Sequence, residues 1–84
     1  APTYHSRALA YRKKGDLERS IADSTKAVQL YPNLAEAYYV RGITYFQKKD
    51  YNNSWEDIHK AESLGLSPQP EDIEALKKAS GREK

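Results

Sequence analysis

The sequence predicts an all-α fold, a helical-repeat solenoid of two antiparallel helix–turn–helix units closed by a C-terminal capping helix. Three observations predict it. Residues 1–34 and 35–68 align without a gap at an offset of 34, matching Ala1/Ala35, Tyr4/Tyr38, Arg7/Arg41, Tyr11/Tyr45, Asp16/Asp50, Ser20/Ser54, Asp23/Asp57, Ala27/Ala61 and Leu30/Leu64. A fixed period of this length marks units that bury their apolar faces on one another. Within each unit the apolar residues recur at helical spacing. Between the helical stretches stand breakers, among them Gly15, Pro32 and Gly65.

The elements follow in order. Residues 3–14 place Tyr4, Ala8 and Tyr11 on one helical face, and Gly15 suits the left-handed position that ends a helix. Residues 17–31 carry Leu17, Ile21, Ser24, Ala27, Val28 and Tyr31, and Pro32 stops the ladder. The second unit repeats this grammar, with Tyr38, Gly42 and Tyr45 over residues 35–48. Lys49 replaces the turn glycine. A left-handed lysine costs about 1 kcal/mol, so a differently wound turn is expected there. Residues 51–64 follow, with Trp55, Ile58 and Ala61 inward and Gly65 as the stop.

Beyond Gly65 the segment Ser67-Pro68-Gln69-Pro70 reads as an extended connector. Pro70-Glu71-Asp72 reads as a helix start, with proline at the first position and acids at the positive end of the dipole. Ile73, Leu76 and Ala79 form one apolar stripe, and Gly81 ends the helix. The reading is one domain over residues 1–84: units 1–34 and 35–68, then a cap and tail over 69–84.

Composition narrows the function classes. The hydrophobic share is 38%, the charged share 31% and the net charge +2 over 84 residues. This fits thin helical layers with much solvated surface. A near-neutral chain argues against nucleic acid as partner, which calls for a concentrated basic stripe. The lysine pairs Lys13-Lys14, Lys48-Lys49 and Lys77-Lys78 lie at helix ends, where the dipole favours cations anyway. With no cysteine, disulfides, thiolate catalysis and cysteine-based zinc sites drop out. No apolar run approaches the roughly 20 residues that cross a bilayer, so no membrane partner is expected. The start without methionine reads as a mature segment, an excised fragment or an engineered chain.

Tyr4, Ala8, Tyr11, Ala27 and Pro32, and then Tyr38, Gly42, Tyr45 and Ala61, fall at signature positions of the tetratricopeptide repeat family. The chain resembles that family over residues 1–68, and the tail resembles the capping helix that follows many such arrays. There are departures. Ser20 and Ser54 stand where the family prefers alanine, Ser24 where it prefers a bulky side chain, and Leu66 where it prefers proline. A buried Ser24 hydroxyl needs a partner, and so small a side chain should loosen the first pair. Two units are also fewer than the three that stable arrays usually need.

The resemblance implies that first helices line a concave groove. Its first unit would present His5, Leu9, Arg12 and Lys13, and its second Glu36, Tyr39, Ile43, Phe46 and Gln47. Leu9, Tyr39, Ile43 and Phe46 lie off the hairpin-facing stripe, which suggests contact with a partner, Tyr39 and Phe46 being the anchors. The alternative is packing on a further helix or on a second copy. Arg7 with Asp23, and Arg41 with Asp57, are expected to pair inside each hairpin. The carboxylate clamp of some family members uses lysine, asparagine and arginine. His5, Leu9 and Val40 occupy three of its positions, which argues against that activity.

His5 and His59 have no spacing partner for a metal, and no glycine-rich phosphate loop or nucleophile turn occurs. No catalytic residue, metal or cofactor is expected. The expected function is a non-catalytic protein–protein interaction module that holds a peptide or partner domain in the groove. The rival is a structural repeat fragment or engineered scaffold that self-associates through its apolar groove and exposed ends.

Overall fold

The computed structural model describes residues 4–82. Five helices follow one another: α1 (Tyr4–Lys13), α2 (Leu17–Leu30), α3 (Ala35–Gln47), α4 (Tyr51–Ser63) and α5 (Pro70–Ser80). The expected start at Thr3 and the Ala1/Ala35 match lie outside the described residues. Helices α1 and α2 form one hairpin and α3 and α4 another. Helix α2 packs on α3, and α5 packs on α4. The result is a slab of 38 × 27 × 18 Å, a helical-repeat solenoid with the predicted elements.

The duplicated aspartates explain where the second helix of each unit begins. The Asp16 carboxylate accepts the Arg19 N–H at 3.2 Å, and Asp50 accepts the Asn53 N–H at 3.4 Å. Each satisfies an amide that the new helix leaves open. The turns before them are wound alike. Asp16 N–H donates to Tyr11 O at 2.9 Å, and Asp50 N–H donates to Tyr45 O at 2.9 Å. Gly15 stands at φ +84° and Lys49 at φ +68°. The expected different winding at Lys49 is therefore wrong. Two helices held at fixed separation force the reversal, and lysine takes the left-handed conformation.

The hairpins close around a recurring ion pair. Arg7 binds Asp23 through Nε at 2.7 Å and Nη2 at 2.8 Å, and Arg41 binds Asp57 with the same two distances. The copies differ in cover. Arg7 keeps 55% of its side chain exposed and Arg41 only 18%. Helix α2 covers the second pair, and Thr25 Oγ1 accepts from Arg41 Nη1 at 3.3 Å.

Helix crossing depends on matched volumes. A Cβ on Gly42 would lie 3.1 Å from Ile58 Cδ1 and 3.2 Å from Asp57 Cβ. In the first unit Ala8 occupies that position and Ser24 replaces the isoleucine, so the extra methyl has room. Ser24 is fully buried, and its hydroxyl donates to the Ser20 carbonyl at 2.7 Å, which supplies the partner it needs. The other two serines tie helices together. Ser54 Oγ donates to the Gly42 carbonyl at 2.7 Å. Ser20 Oγ lies 2.9 Å from Thr44 Oγ1, whose own proton goes to the Val40 carbonyl.

Apolar packing gathers in two places. Ala27, Val28 and Ala37, flanked by Leu34 and Tyr38, join the two units. Trp55, Ile58 and Leu76 form the second cluster, with Tyr39, Ile43, Phe46, Tyr51 and Ile73 packed against it. Tyr31 and Ala79 leave the expected stripes. Tyr31 caps α2 from outside the helix and is exposed, and Ala79 faces solvent.

Candidate peptide-binding groove

Three helices run side by side in the same direction. Arg12 and Gln47, at the ends of α1 and α3, meet at 2.8 Å. Tyr39, early in α3, meets the start of α5: its hydroxyl donates to the Asp72 carboxylate and accepts the Gln69 N–H at 3.1 Å. At the far end of α5, Ser80 Oγ accepts the Trp55 indole N–H at 3.1 Å. Helix α5 thus takes the place of a first helix in a third unit.

Between α1 and α5, with α3 as floor, lies a concavity of about 730 Å³. All nine sequence-expected residues line it: His5, Leu9, Arg12 and Lys13 from α1, and Glu36, Tyr39, Ile43, Phe46 and Gln47 from α3. Gln69, which precedes α5, and Asp72, Ile73, Ala75 and Leu76 from α5 also line it, and the sequence reading did not assign them to the groove. The signal was present. Carrying the 34-residue period past Pro68 places Ile73 in register with His5 and Tyr39, and Leu76 with Ala8 and Gly42.

The apolar residues divide. Tyr39, Ile43 and Phe46 pack against the cluster that α5 completes. Phe46 also meets the Tyr51 ring edge-on, with centroids 5.9 Å apart. For these three, packing on a further helix accounts for much of their apolar surface. Leu9 belongs to neither buried cluster and lies half-exposed on the groove wall.

Charge is sorted by helix end. The side formed by the starts of α3 and α5 carries Glu36 and Asp72, and the side formed by the end of α1 carries Arg12 and Lys13. Partial burial and the hydrogen bond to Asp72 push the Tyr39 phenol up to about 12. Hydrogen bonds and charge from Asp57 hold Arg41 more firmly protonated, while burial pushes the Asp57 carboxyl up against them. Glu18, 2.8 Å from Lys48 Nζ, raises that ammonium in the same way.

His59 is exposed, and its ring sits 5.4 Å from that of Trp55, away from the groove. No group of three or more metal-ligating side chains assembles among the described residues. None of the described helices is long and apolar enough to cross a membrane.

Comparison with known proteins places this geometry. A TPR repeat family model matches residues 8–49, and a tetratricopeptide repeat model matches residues 35–64. The chain is 35% identical over 70 residues to the E3 ubiquitin-protein ligase CHIP of Arabidopsis thaliana, covering 82% of this chain and 25% of that protein. It is 32% identical over 73 residues to Hsp70-Hsp90 organizing protein 2 of Arabidopsis thaliana, covering 87% of this chain and 12% of that protein. The chain spans a quarter or less of the length of these relatives. With two units in phase, a duplicated hairpin ion pair and both models matched, the chain belongs to the tetratricopeptide repeat family.

Proposed function

We propose that this chain is a non-catalytic protein–protein interaction module that holds a peptide or short partner segment between α1 and α5. The observation that supports this reading is the concavity of about 730 Å³ walled by three parallel helices. Its walls are fixed by packing before any ligand arrives, so little ordering entropy is lost on binding. The name of one relative, Hsp70-Hsp90 organizing protein 2, points to Hsp70 and Hsp90 as the partners of that protein. His5, Leu9 and Val40 do not supply the family's carboxylate clamp, which argues for a different ligand here.

Leu9 is the cleanest probe, because Tyr39 and Phe46 also support α5. The test is a display screen of random peptides against the chain, followed by affinities for Leu9→Ala. A loss of about tenfold, with an unchanged melting temperature, supports the groove. Binders that are indifferent to both Leu9→Ala and Phe46→Ala refute it.

A second reading is self-association. Tyr4, Leu30 and Tyr31 are exposed, and Arg7 lacks the cover that α2 gives Arg41. Light scattering decides it: a mass that rises with concentration and falls back in Tyr31→Gln favours assembly through that face.

A further inference from the structure

We propose that Ser67 is a phosphorylation site for a proline-directed serine kinase, and that its phosphate loosens the start of α5. The first observation is a free hydroxyl. Ser67 is exposed, and its side chain makes no hydrogen bond among the described residues. The hydroxyls of Ser20, Ser24, Ser54, Ser63 and Ser80, and those of Thr25 and Thr44, are all engaged. The second observation is the backbone. All of those residues lie in helices, whereas Ser67 lies in the irregular stretch 66–69 between α4 and α5. A kinase cleft takes its substrate as an extended strand, so a helical serine must first unfold locally.

The third observation selects the enzyme. Pro68 holds Ser67 away from the helical region and has no N–H of its own. A kinase that binds the amide after its target is refused, and one with an apolar seat for proline is suited. Ser67-Pro68 is the one Ser-Pro or Thr-Pro step in the sequence. A kinase that reads basic residues ahead of its target finds none, since residues 61–66 carry Glu62 and no cation. The bridge is pinned on both sides of the target. Leu66 N–H donates to Ala61 O at 3.0 Å, and Gln69 N–H donates to Tyr39 Oη at 3.1 Å. Leu66 and Gln69 line the concavity and Ser67 does not, so its hydroxyl is approached from outside.

In the transfer, Ser67 Oγ attacks the γ-phosphorus of the ATP that the kinase holds. The Oγ–phosphorus bond forms as the bond to the β,γ-bridging oxygen breaks. ADP leaves with that electron pair, and the kinase's catalytic aspartate takes the hydroxyl proton. Phosphoserine carries about 1.5 to 2 negative charges at neutral pH. They arrive in a stretch of like sign. Residues 61–76 hold Glu62, Glu71, Asp72 and Glu74 and no cation, and Lys60 at the edge lies over the Tyr38 ring. Glu71 and Asp72 already occupy the positive end of the α5 dipole. Repulsion therefore loosens the turn that Gln69 and Asp72 fasten to Tyr39. Helix α5 is one wall of the concavity, so the mark alters the groove as well.

The test treats the folded chain, and a peptide of residues 63–72, with an activated mitogen-activated protein kinase and ATP. Mass spectrometry locates and counts the phosphate. One phosphate is expected per chain, on Ser67, at a kcat/KM close to that of the peptide, and Ser67→Ala should take up none. Pro68→Ala, made in the peptide so that folding does not enter, should lose about tenfold or more. If the folded chain is slower than the peptide by about tenfold or more, the connector has to open first and the site is overturned. Phosphate on another serine overturns it too. Hydrogen exchange then compares the phosphorylated and unmodified chains. The Gln69 and Ile73 amides are expected to exchange about threefold or more faster after phosphorylation, and less so at high salt. Unchanged or slower exchange overturns the loosening.

Discussion

Lys49→Gly should stabilise this protein, although glycine usually weakens a chain. Lys49 sits at φ +68°, in the turn where the first unit uses Gly15 at φ +84°. Its side chain is exposed and makes no ion pair among the described residues. A left-handed L-residue costs roughly 1–2 kcal/mol. Glycine returns about 0.4–1 kcal/mol of that through the greater freedom of its unfolded chain. The difference leaves a gain of about 0.5–1 kcal/mol, or a rise in melting temperature of roughly 2–8 °C for a domain of this size. Gly15→Lys is the mirror experiment. No atom lies within 4 Å of a Cβ built on Gly15, so its loss would be conformational and of similar size. Urea unfolding followed by far-ultraviolet circular dichroism measures both. If Lys49→Gly lowers the midpoint at constant m-value, the conformational argument fails.

The remaining predictions concern packing and pH. Gly42→Ala should destabilise through the 3.1 Å approach to Ile58 Cδ1, and Ile58→Val should relieve it. A double-mutant cycle should show a favourable coupling of about 0.5 kcal/mol or more, and strict additivity would dismiss the volume argument. Leu76→Ala should cost roughly 2–4 kcal/mol and unseat α5, seen as a red shift of Trp55 fluorescence; unchanged emission would count against α5 as the cover of that cluster. The Tyr39 phenol, held at about 12, stabilises the fold in its neutral form, an effect present below pH 10 and lost between about pH 10 and 12. Tyr39→Phe should flatten stability over that interval, as read by unfolding midpoints; an unaltered profile would show that the phenol does not report α5 docking.

Much of the site was legible because it follows from local rules. Once residues 1–34 and 35–68 are in phase, the family resemblance carries Leu9 and Arg12 of the first unit and Ile43 and Gln47 of the second to the same concave side by position. What the spacing leaves open is the body that meets that wall. Tyr39, Ile43 and Phe46 read as apolar residues awaiting a partner, and α5 meets them within the chain.

The sequence by itself determined the number, type and phase of the helices, the two hairpin ion pairs and the family. All of these rest on interactions within a turn or on a repeated pattern. Tertiary structure decided the rest. It forced Lys49 into a glycine conformation, because two packed helices leave one path for the chain between them. It covered Arg41 more than Arg7, because α2 packs over the second pair and Thr25 accepts from Arg41. It buried Arg12 Nε without an acceptor, since the satisfaction of a donor depends on atoms brought from distant segments. Periodicity tells which face a side chain occupies; only packing tells what, if anything, stands opposite.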